Sequence, residues 1–146
     1  AGNSSSGFTL LELLLVVSII AVASAGVAFA MRDASATQLE REAQRLAALL
    51  DAARARSRAN GVPVRWTPTD QGFRFDGLPD QALPTHWLGP QTTARVPGPL
   101  LLGPEPIIGP QDIALRITDH PEQVLHVRTD GLGPFEVQPE VLAGPP

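Results

Sequence analysis

Apolar and polar positions divide this chain into three regimes. From Phe8 to Met31 the residues are apolar almost without a break; Glu12 is the lone charge, and Ser18, Ser24 and Gly26 interrupt the surface only mildly. A helix over these positions would extend roughly 36 Å, enough to cross a hydrocarbon core of about 30 Å. Residues 32–60 keep a helical period but turn amphipathic. Leu39, Leu46, Leu50 and Ala53 recur on one stripe with Leu49 beside them, while Arg41, Arg45, Arg54 and Arg58 are placed on the other faces. Glu42–Arg45 and Asp51–Arg54 stand at pairing distance along such a helix. Asn60-Gly61 supplies a stop, and Thr37-x-x-Glu40 has the form of a capping box at which the helix can restart.

Beyond Gly61 the period shortens and the punctuation thickens, for all 15 prolines lie there. Val62–Thr67 and Gly72–Gly77 alternate and read as a hairpin turning over Pro68–Gln71. Residues 78–111 are rich in Pro and Gly, with apolar islands at 100–102 and 107–108, which predicts loop with one or two edge strands. Residues 113–118 and 124–129 are the clearest strands, joined by a turn over Asp119–Gln123, and Phe135–Val137 forms a last one. Glu140–Pro146 is expected to fray. The fold class is α+β: a long N-terminal helix, membrane-spanning and then amphipathic, packed on an antiparallel sheet or sandwich head.

Length and charge narrow the function. A chain of 146 residues holds one such span and one small domain. With no cysteine, neither a disulfide framework nor a thiolate metal site is available. Residues 32–60 carry six Arg against four acids, whereas residues 61–146 carry five Arg against ten, so the distal part is a poor candidate for nucleic acid. Arg54, Arg56 and Arg58 are read as a solvated helix end. His86, His120 and His126 are well separated without zinc spacing, with His126 on the polar face of its strand. No nucleophile elbow or phosphate loop occurs, and Asp130-Gly131 reads as turn chemistry because it lacks the alternating acids of a calcium loop. Trp66, Phe73, Phe75, Trp87 and Phe135 are expected in the core. No enzyme, cofactor or metal is expected.

One carboxylate in a lipid-length span costs on the order of 2–3 kcal/mol and marks function. Gly7 followed by Phe8, Thr9, Leu10, Leu11 and Glu12 resembles the N-terminus of type IV pilins and type II secretion pseudopilins. The resemblance implies a leader over residues 1–7, cut between Gly7 and Phe8 by a prepilin peptidase that methylates the new Phe8 amine. It also implies that Glu12 pairs with the N-terminal amine of a neighbouring subunit during assembly. Such leaders carry Lys or Arg before the glycine, where this chain has Ser4, Ser5 and Ser6.

The distal order EAQRLAALLDAARARSRANG, PVRW, GFRF, Trp87 and DGLGPFEV resembles the GspH/FimT group of minor pseudopilins. That implies a membrane and filament-core helix over 8–31, an amphipathic helix over 32–60 and a periplasmic β-rich head over 61–146. The implied setting is a single-pass subunit of a Gram-negative inner membrane, assembling near the tip of a type II secretion pseudopilus that exports folded proteins. Its implied partners are other minor pseudopilins, the major pseudopilin, prepilin peptidase and the membrane, with no nucleic acid. The alternative is a FimT/FimU-like minor type IV pilin serving pilus assembly or DNA uptake. That reading would want a basic C-terminus, and Val137–Pro146 holds Glu140 and no Arg. A membrane-tethered enzyme is a third class, for which no residue set can be named.

Overall fold

The computed structural model describes residues 7–140. All but Gly7 of the expected leader, and residues 141–146 of the expected fraying tail, lie outside these. One helix, α1 (Leu10–Asn60), opens the described chain, and it is helical through Thr37, so of the two courses open there the chain takes the unbroken one. The chain divides into two units at Ala34 and Ser35, and each is taken by itself.

The first unit is the start of α1. Every described residue from Gly7 to Ala34 is exposed, including Leu10, Leu11, Ile19, Ile20 and Phe29, and the stretch is long and apolar enough to cross a membrane. Ser18 does not leave a polar group open to that surroundings, because its Oγ donates to the Leu14 carbonyl at 2.7 Å.

The second unit packs the rest of α1 against two antiparallel sheets. β1 (Arg65–Thr69), β2 (Gly72–Asp76) and β4 (Leu100–Leu101) form one in the order β2-β1-β4. β3 (Thr92–Arg95), β5 (Gln111–Ile117), β6 (His120–Thr129) and β7 (Glu136–Pro139) form the other in the order β3-β5-β6-β7. The expected stripe of Leu39, Leu46, Leu50 and Ala53 is buried, in one core with Val64, Trp66, Phe73, Ile113, Leu115 and Val127. Phe73 sits at the centre of the aromatics, its ring 5.7 Å from Trp66, 5.8 Å from Phe75 and 4.7 Å from Trp87, so core packing of these rings holds as expected. The α+β layout is therefore as anticipated.

Strand limits differ from expectation for identifiable reasons. The first hairpin turns over Asp70 and Gln71 alone, and Pro68 lies inside β1 opposite Phe73. Phe73 N–H points away from β1 to the Thr85 carbonyl (2.9 Å), so this is a pair whose amides face outward and the proline removes no ladder bond. β6 starts at His120, not after Gln123: the turn is Thr118-Asp119, and a register shift at Arg116/Ile117 absorbs the extra residues. Within 78–111 the strands are β3, which has no apolar island, β4 and the first residue of β5; residues 107–108 form none. β7 begins one residue after Phe135, which is itself buried.

Candidate functional site

Two constellations carry chemistry, one in each unit. The first is the N-terminal turn. Gly7, Phe8 and Thr9 precede the helix, and Gly7 and Phe8 are exposed, so the peptide bond between them lies outside the helix and open to solvent. Thr9 is the N-cap of α1: its Oγ1 accepts the Glu12 N–H at 3.1 Å and its carbonyl accepts the Leu13 N–H at 3.0 Å. Glu12 occupies the first helical turn, exposed, where the partial positive charge of the helix start favours a carboxylate. Thr9-x-x-Glu12 thus has the capping-box spacing, and Phe8 with Leu13 has the spacing of the hydrophobic staple that accompanies it. Sequence reasoning missed the role of Thr9, although the signal was present. With the cap formed, the chain enters the helix at Leu10, and Glu12 is held about one turn from the Gly7–Phe8 bond.

Comparison with known families meets this geometry at the same place. Residues 2–28 match the model of the prokaryotic N-terminal methylation motif. The N-terminus is that of a type IV pilin-like or pseudopilin protein. A motif of this kind implies processing by a prepilin peptidase, and with the long apolar helix it fits a single-pass, membrane-anchored pilin-like chain. No curated protein and no solved structure gives a significant match.

The second constellation fastens the pilin-like head to its helix. Arg54 was expected on a solvated face; it is instead only 4 % exposed. Its Nη1 donates to the Gly133 carbonyl at 2.7 Å, and its Nη2 reaches the carbonyls of Gly131 (2.7 Å), Pro106 (3.2 Å) and Leu132 (3.5 Å). Arg58 adds a bond to the Pro106 carbonyl at 2.7 Å. The guanidinium is needed because the two loops present carbonyls, and a fork of donors satisfies several at once. Burial lowers the Arg54 pKa, Arg58 lowers it further, and Asp51 and Asp130 oppose them.

The Asp130–Gly133 loop is shaped by its own groups. Asp130 Oδ1 accepts the N–H of Gly133 (2.8 Å) and of Leu132 (2.9 Å), which holds its carboxyl below the usual range, so Asp130-Gly131 acts as a turn. Gly131 has φ +96°, and a Cβ there would collide with the Ile108 carbonyl, so the position accepts glycine alone. Asp51 accepts the Phe135 N–H at 3.1 Å; burial raises its pKa against that bond and against Arg54.

The expected ion pairs along the helix are likewise replaced by bonds to the head. Glu42 is buried, and its Oε1 accepts the Leu88 N–H at 2.7 Å, while Arg45 donates to the His86 carbonyl at 2.8 Å. His126 lies on the outward face of its sheet as expected, with Nδ1 2.7 Å from Asp112 Oδ1. Among the described residues no group of His, Asp and Glu is placed to hold a metal ion.

Proposed function

We propose that this chain is a minor pseudopilin of type II secretion, similar to general secretion pathway protein H, acting as a structural and non-catalytic subunit near the pseudopilus tip. The observation that carries the reading is the methylation motif over residues 2–28, coinciding with a capped apolar helix that keeps one carboxylate in its first turn. Prepilin peptidase cuts the exposed Gly7–Phe8 bond, and the Phe8 amine becomes the new N-terminus and is methylated. Glu12 then supplies the negative charge for the N-terminal amine of an adjacent subunit. Each charge is costly alone in lipid, and pairing offsets part of that cost, so joining the filament is favoured over remaining a lone anchor. The β-rich head lies in the periplasm, where it meets other minor pseudopilins and the major pseudopilin. No catalytic role, cofactor or nucleic-acid ligand enters this reading.

The test is a clean deletion in the host, complemented with wild-type or Glu12→Leu chain. Export of folded proteins is expected to stop in the deletion, to return with the wild type, and to stay low with Glu12→Leu although the protein still reaches the membrane. N-terminal sequencing of membrane material should begin at methylated Phe8. Unimpaired export in the deletion would sink the secretion role. Loss of pili or of DNA uptake instead would assign the chain to the FimT/FimU-like class.

A further inference from the structure

The outward face of the β3-β5-β6-β7 sheet departs from the charge of the domain around it. Residues 61–146 hold twice as many acids as arginines. Yet three of those five arginines, Arg95, Arg116 and Arg128, stand on this one face with His126, against Asp112 and Glu136. The pairing register places them: Arg95 lies opposite Ala114, Thr93 opposite Arg116, Asp112 opposite Arg128, and Arg128 opposite Glu136.

Asp112 is already held on this face by His126 Nδ1 at 2.7 Å and Arg128 Nε at 2.8 Å. Arg95 and Arg116, by contrast, make no ion pair among the described residues. Beside Arg95 the surface is hollowed. Two concavities of about 370 and 380 Å³ meet at Pro97 and Asp112, one reaching Leu100 and Pro110, the other Arg95, Ala114 and His126. The face therefore combines unpaired guanidiniums with a shallow apolar trough.

We propose that this sheet face docks an extended, carboxylate-bearing segment of another polypeptide. Arg95 and Arg116 are diagonal neighbours on adjacent strands, a relation that spaces side chains about 7–8 Å apart. Acids at alternate positions of an extended segment repeat at roughly 7 Å, so two consecutive same-side carboxylates match the two arginines. Apolar residues of the segment fill the trough lined by Pro97, Leu100 and Pro110. A nucleic acid fits less well: it would meet two free cations only, with Asp112 and Glu136 repelling its phosphates within an acidic domain. The inference rests on the sheet alone and stands whether or not the chain is a pseudopilin.

The experiment uses the full chain purified in detergent micelles and a fluorescent octapeptide alternating glutamate and leucine, followed by anisotropy. Binding is expected at low salt, about tenfold weaker for the glutamine–leucine analogue and weaker again in high salt. Arg95→Glu and Arg116→Glu should each weaken it at least about fivefold, while Arg65→Glu, an exposed arginine of the other sheet, should leave it unchanged. Circular dichroism of each variant checks that the head is intact. Equal binding by wild type and both reversals would overturn the proposal, as would no binding at millimolar peptide. So would tighter binding of a single-stranded oligonucleotide than of the acidic peptide.

Discussion

Leu10–Ala34 and Leu39–Ser57 belong to one helix yet treat side chains in opposite ways. In the first stretch every leucine, valine and isoleucine is exposed; in the second, Glu42 and Arg54 are buried beside the leucines. Leaving an apolar side chain in water forgoes on the order of 1.5–3 kcal/mol, so the first stretch needs an environment that the chain itself does not provide. The second carries its own: backbone groups of the head meet Glu42 at Oε1 and Arg54 at both Nη atoms. The contrast shows that a helix face is polar or apolar only with respect to what covers it. Arg54 faces a wall of carbonyls, and a leucine there would take a charged donor from all of them at once.

Breaking that wall should give the largest effect. Arg54→Ala is expected to cost about 3 kcal/mol in denaturant unfolding of the head, since it strips a charged donor from several carbonyls at once. Arg54→Lys should recover little, as one ammonium cannot span both loops. Next comes Gly131→Ala, expected to cost about 2 kcal/mol from its positive φ and the Ile108 carbonyl, read as a lowered melting temperature. Thr9→Ala should cost about 1 kcal/mol, confined to the first turn: hydrogen exchange at Glu12 and Leu13 should quicken while the head's melting is unchanged. If the head melted earlier as well, the two stretches would not be independent in stability.

The smallest effects are in pH dependence, and they run in opposite directions. Asp130, held low by two backbone bonds, contributes stability above its ordinary 3.8 and loses it as pH falls through the lowered value. Asp51, raised by burial, contributes fully below the ordinary 3.8 and loses that contribution as pH rises through its raised value. Asp130→Asn should therefore flatten the acid limb of stability against pH. Asp51→Asn should gain on wild type at pH 7 relative to pH 3. Thermal melts across that range would show a single common slope if the assigned causes were wrong.

The two stretches also differ in how openly their residues announced them. The apolar run, Glu12, the stripe from Leu39 to Ala53 and the first hairpin follow from period alone, because each depends on neighbours close in sequence. Arg54 was illegible for the opposite reason: its partners lie 77–79 residues away at Gly131 to Gly133, and nothing local distinguishes it from Arg56 or Arg58. Pro68 misled because its place in a strand depends on which way one amide points, and β3, Thr92–Arg95, has no apolar alternation to reveal it. At the N-terminus the role of Thr9 was legible, since Thr9-x-x-Glu12 is a spacing between close neighbours in sequence.

The contact between β2 and the segment at Thr85 and His86 has a consequence for crowding. Gly72 bridges to His86, and its missing side chain lets the Thr85 carbonyl come close enough to take the Phe73 N–H. The outer rim of the three-stranded sheet is thus already occupied at Gly72 and Phe73. Crowded copies of the chain would otherwise offer one another bare strand rims, an invitation to zip into disordered aggregates. Filling that rim from within removes that template, and a side chain at Gly72 would reopen the route to clumping.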